Sequence, residues 1–145
     1  MALLLTLDAS VFVAACRRRE PGHDASHALL RWLRDQDIPL IEPAILPVET
    51  AAALVRTGDD PVRATEFAEA LLSLPLLTLV TIDDRHALRA VTAATEYRLR
   101  GTDALYVATA LHYGSQLITL DKEQLKRAPN MVHACKPDTA IERFT

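Results

Sequence analysis

Two stretches of the chain end an apolar run on a carboxylate: LLLTLD closes on Asp8 and QLITLD closes on Asp121. Two more acids stand in helical patterns. Glu49 falls on an apolar stripe with Ile45, Val48, Ala52 and Ala53, and Asp103 lies in the first turn of a helix beside Thr102. Singly, each has an ordinary explanation. Asp at a strand-to-helix junction caps the helix, Asp in a first turn suits the helix dipole, and a stripe Glu can be half-exposed or ion-paired. Together they point to chemistry. Right-handed crossovers put every strand-to-helix junction of a parallel sheet on one rim, so all four acids would share it. Two unit charges about 5 Å apart repel by roughly 3 kcal/mol at an effective dielectric near 20, so such a group calls for a cation. All-oxygen ligands favour Mg2+ or Mn2+ over zinc. Acids and a divalent ion at a sheet rim suit hydrolysis of a phosphodiester by metal-activated water.

Whether the four meet depends on the elements that carry them. Residues 3 to 7 form an apolar run of the kind buried on both faces of a sheet, and Ala9 to Arg19 reads as a helix closed by Pro21-Gly22. Ala25, Ala28, Leu29, Trp32 and Leu33 give the next helix its stripe, and Ile38 to Ile41 a brief strand. The Glu49 helix follows, its stripe expected to face inward. Ala64, Phe67, Ala68, Leu71 and Leu72 mark a further helix ended by Pro75. Leu76 to Ile82 is a third strand, after which Asp83 or Asp84 caps a helix with Ala87, Ala90, Val91 and Ala94 inward. Gly101 breaks the chain and Thr102 starts a helix with Ala104, Val107, Ala108 and Leu111 as its stripe. Gln116 to Leu120 is a fourth strand and Met131 to Ala134 a weaker fifth. Strands alternating with helical stripes predict an α/β domain with a parallel sheet.

At 145 residues, with 50% hydrophobic and 24% charged, the chain is the size of one domain, spanning 1–145, that buries its own core. Its apolar runs are too short to span a membrane. Cys16 and Cys135 have neither zinc nor CxxC spacing, which fits reduced thiols and a cytoplasmic location. The segment ending at Cys16 superficially resembles a lipoprotein signal, but Asp8 interrupts it and no Lys or Arg precedes it. A net charge of -3 does not mark a binder of the basic-patch kind. His23 and His27 have i, i+4 spacing without a third ligand, and phosphate-loop and dinucleotide fingerprints are absent.

LDASVF at 7 to 12, Glu49 in LPVET, TDALYVATA at 102 to 110 and LITLD at 117 to 121 together resemble the PIN domain. The chain's size is similar to that of VapC toxins from toxin-antitoxin pairs. The resemblance implies a three-layer α/β/α fold whose five-stranded parallel sheet has the order 3-2-1-4-5, with strands one and four meeting at a topological switch point. It implies a metal-dependent endoribonuclease. Asp8, Asp103 and Asp121 would hold Mg2+, with Mn2+ as the alternative, and Glu49 would be a further ligand or the base for water. Ser10 and Thr119 would fix carboxylates or ordered water. It also implies an RNA substrate such as tRNA or ribosomal RNA, a VapB-like antitoxin and a homodimer. Arg17, Arg18, Arg19 and Arg100 could touch RNA phosphates, and Tyr106 and Trp32 have helical positions consistent with packing. A rival is a PIN-like module that binds or assembles without cleaving. Response-regulator and DxD phosphatase readings are further rivals: Lys122 follows Asp121, but no acidic pair precedes the first helix, and Asp8 is followed by Ala9 and Ser10 rather than completing a DxD.

Overall fold

The computed structural model describes residues 2–145, and β1 (Leu5–Leu7) lies at the middle of its sheet. After β1 come α1 (Ala9–Cys16), α2 (His23–Asp35), β2 (Leu40–Pro43), α3 (Leu46–Arg56) and α4 (Pro61–Leu72). The second half comprises β3 (Leu77–Val80), α5 (Asp84–Tyr97), α6 (Gly101–Tyr113), β4 (Gln116–Ile118), α7 (Lys122–Arg127) and α8 (Pro137–Phe144). The strand order is β3-β2-β1-β4, all parallel. Leu5, Thr6 and Leu7 are fully buried, as a strand with neighbours on both edges and helices on the sheet requires. α6 packs across β1 and β2 and against α5, while α1 contacts α2 and α3. Leu5, Leu7, Phe12, Leu29, Tyr106, Val107, Leu117 and Ile118 belong to the main core.

Among the described residues the sheet has four strands, not the five expected. In place of the strand at Met131 to Ala134 stands a 3-10 turn, Asn130–Val132, followed by His133 with φ of 47°. That left-handed residue breaks any extended run. The chain reaches the β4 edge only at Cys135, which makes a single parallel bridge to Ile118 before Pro137 starts α8. The remaining strands lie within their expected runs or overlap them, although the first helix stops at Cys16 rather than Arg19.

Two helix faces differ from their expected orientation. On α3 the buried residues are Leu46, Thr50 and Leu54, and Val48, placed inward by the stripe, is 63% exposed. On α5 the inward residues are His86, Ala90 and Ala93, whereas Val91 is exposed. His86 Nε2 meets the Thr109 hydroxyl at 2.9 Å, joining α5 to α6. Gly101 opens α6 rather than interrupting the chain, so Thr102 sits inside its first turn.

Candidate active site

The α3 face that turns away from the core lines a cleft of about 690 Å³, and all four acids line the same cleft. Asp8 follows β1 and caps α1, its carboxylate accepting the Ser10 N–H at 3.1 Å. Asp121 caps α7 in the same way, accepting the Gln124 N–H at 2.9 Å. Capping and convergence on the rim are therefore both true of these residues. Asp103 is in the first turn of α6 and Glu49 in the first turn of α3, which places both helix starts at the cleft.

The hydroxyls singled out with them are engaged there. Thr119, fully buried, donates to Asp8 Oδ2 at 3.3 Å and accepts the Asp121 N–H at 3.0 Å, linking the two strand-end acids. Ser10 Oγ accepts the Leu120 N–H at 3.1 Å, so α1 also holds the segment between Thr119 and Asp121. Gly22 makes room for the same segment, because a Cβ there would lie 2.7 Å from Leu120 Cδ1.

Electrostatics mark the cleft as short of positive charge. Asp8 is 5% exposed, and burial pushes its carboxyl up to about 6, with Glu49 and Asp121 adding to the rise against the Ser10 hydrogen bonds. Burial likewise raises Asp103, helped by Asp121 and Asp8 and opposed by Arg100. Arg100 answers that demand, donating from Nε to Asp103 at 3.2 Å and from Nη2 to Asp121 at 2.7 Å. Among the described residues, no three acidic, histidine or cysteine side chains already stand close enough to hold one ion. The donor set nevertheless fits a hard divalent cation, since it offers only oxygens and its members raise one another's affinity for positive charge.

Other predicted contacts lie elsewhere. Arg17 pairs with Asp59 at 2.9 Å and donates to the Leu54 carbonyl at 2.8 Å and to Thr57, while exposed Arg18 and Arg19 do not line the cleft. Trp32 stacks on Phe144. Three further polar residues engage the site, and the sequence reading tied none of them to the acids. Tyr106, fully buried on α6, donates to Glu49 Oε1 at 2.8 Å. Gln124 Nε2 donates to the Asp103 carbonyl at 3.3 Å, tying α7 to the start of α6. Glu42, fully buried in β2, accepts the Leu7 N–H, and burial raises its carboxyl well above the ordinary range. A Glu at the end of a short apolar run was the only trace of it in sequence.

The PIN domain family model matches residues 5–130. The chain belongs to the PIN domain family. Its fold is similar to PAE2754 from Pyrobaculum aerophilum at 24% identity and a TM-score of 0.69, covering 99% of this chain and 97% of that one. Mycobacterium tuberculosis VapC20, described as a Sarcin-Ricin loop cleaving toxin, gives 17% identity and a TM-score of 0.69 over 83% of this chain and 92% of that one. VapBC2 from Rickettsia felis, bound to a DNA fragment from their promoter, gives 16% and 0.69 over 92% and 98%. No curated protein matched by sequence. Among the described residues of this PIN domain, no helix is long and apolar enough to cross a membrane.

Proposed function

We propose that this PIN domain is a divalent-metal-dependent endoribonuclease of the VapC toxin type. The observation that carries the reading is the shared cleft of Asp8, Glu49, Asp103 and Asp121, four acids from remote parts of the chain, with Asp8 pushed up to about 6 by burial and by its acidic neighbours. Asp8, Asp103 and Asp121 would hold Mg2+ or Mn2+, with Glu49 as a further ligand or as the base that takes a proton from water. An ion held there would supply Lewis-acid polarisation of the scissile phosphate and charge neutralisation at the leaving oxygen.

The chain's own residues do the rest. Thr119 keeps Asp8 and the Asp121 backbone in register, and Ser10 fixes Leu120 between them. Arg100, at the cleft mouth and 68% exposed, is placed to meet a phosphate of the RNA. The RNA class would be a tRNA or ribosomal RNA segment, a reading supported by the fold shared with VapC20. Fold likeness to VapBC2 supports regulation by a VapB-like antitoxin. The toxin would act as a homodimer in the cytoplasm.

Purified protein incubated with RNA and Mg2+ or Mn2+ should cleave it, and EDTA should abolish cleavage. Asp8→Asn should lower the rate by about 100-fold or more. Cleavage that survives chelation, or a fully active Asp8→Asn protein, refutes the metal-nuclease reading.

A further inference from the structure

Glu49 is a partly exposed carboxylate whose nearest cleft neighbours along the helix, Ile45, Val48, Ala52 and Ala53, are apolar, with Arg56 lining the same cleft two turns further on. A glutamate in that setting has three side-chain torsions to settle and, left alone, would sample solvent. Among the described residues its one side-chain partner is Tyr106, at 2.8 Å from Oε1. Tyr106 has no exposed surface and sits three positions after Asp103 on α6. Residues at i and i+3 share a helix face, so one face of α6 carries both a proposed metal ligand and the partner of Glu49.

We propose that Tyr106 is a positioning residue for Glu49: its hydroxyl occupies Oε1, turns the carboxylate into the cleft and leaves Oε2 as the oxygen that works on the ion or on water. The inference rests on the nuclease reading above. A phenol suits the task because it donates a hydrogen bond without adding charge to the cleft. It is also rigid, being fixed by the core around its ring. Asp103 and Glu49 come from elements 54 positions apart, yet a single helix rotation would set both.

A double-mutant cycle separates positioning from packing. Tyr106→Phe keeps the ring and removes the donor. In the otherwise wild-type protein it should lower kcat on RNA about 10-fold with KM changed less than about two-fold, as expected when one hydrogen bond to a charged group is lost. In a Glu49→Gln background the same change should cost less than about two-fold. Carboxyl 13C NMR of the protein without substrate should show the Glu49 side-chain signal displaced in Tyr106→Phe and the Asp103 signal unmoved. Equal losses in both backgrounds, or an unmoved Glu49 signal, overturn this inference and leave the nuclease reading intact. A wild-type protein that cleaves no RNA with either ion takes down both.

Discussion

Arg17 and Arg100 each pair with two carboxylates, but their surroundings differ. Arg17, at the end of α1, has a side chain only 16% exposed and holds Asp59 at 2.9 Å and Glu20 at 3.9 Å. It also donates to the Leu54 carbonyl and the Thr57 hydroxyl, so it closes the α3-to-α4 turn onto α1. Arg100 is 68% exposed, and its two partners, Asp103 and Asp121, repel each other as well as attracting it. The first arginine satisfies a fixed set of acceptors: two carboxylates, a carbonyl and a hydroxyl. The second answers a charge imbalance, which any cation at the cleft would relieve. Proximity to an acid thus says little about an arginine's role; burial and the mutual repulsion of the acids decide it.

The contrast breaks most visibly on activity. Asp103→Asn should reduce RNA cleavage about 100-fold or more while the unfolding midpoint in urea stays level or rises, because a buried, crowded charge has been removed. Arg17→Ala should do the reverse, with roughly 2 kcal/mol of stability lost and kcat unchanged within about two-fold. A folded Arg17→Ala protein that has lost cleavage would mean that Arg17 reaches substrate, as Arg100 is placed to do.

Stability against pH sharpens the same point. The folded carboxyl of Asp8 titrates near 6 against an ordinary 3.8, so the native state binds its proton more tightly than the unfolded chain. That contribution is fully present below about pH 4 and is lost as pH rises through about 6. Asp8→Asn, which keeps an amide oxygen able to cap α1, should therefore be more stable than wild type at pH 7 in EDTA, by an amount on the order of 2–3 kcal/mol, with the gap closing towards pH 4. Comparing the two proteins removes the opposite contribution of His86, whose burial lowers its pKa and whose protonation destabilises the fold as pH falls. Urea melts at pH 4, 5, 6 and 7 measure it. A gap that does not change with pH would place the strain of the site elsewhere than on Asp8.

Much of this arrangement could be read from the chain. The apolar runs that end at Asp8 and Asp121 located β1 and β4, and each acid proved to be a helix cap and a cleft residue at once. The stripe that singled out Glu49 lies elsewhere than expected. It walls a cleft instead of facing the core, and apolar periodicity is the same for both. The fifth strand failed because a single bridge at Cys135 imposes no alternation over several residues, while the left-handed His133 leaves no mark in hydropathy. Tyr106 and Gln124 act through partners 57 and 21 positions away, so nothing in their local pattern separates them from ordinary packing. A run of three arginines reads as a possible phosphate contact, and nothing in the run signals the turn to which Arg17 is tied through Asp59.

The smallest effect tests Arg100 directly. Its guanidinium and a divalent ion would compete for the Oδ2 atoms of Asp103 and Asp121, so an ion taking both would weaken or displace its hold. Exposed ion pairs are weak, and the competition should therefore be modest. Arg100→Ala should bind Mn2+ about three- to ten-fold more tightly by calorimetry, with Arg100→Lys between the two because a single ammonium cannot span both carboxylates as the planar fork does. The same removal should weaken RNA binding if the displaced arginine passes to a phosphate, and that weakening should fade as salt is raised. Tighter Mn2+ with unchanged RNA affinity would make Arg100 a counter-ion and nothing more. Unchanged Mn2+ affinity would show that the ion leaves the arginine's two contacts undisturbed, and Arg100 would then resemble Arg17 after all.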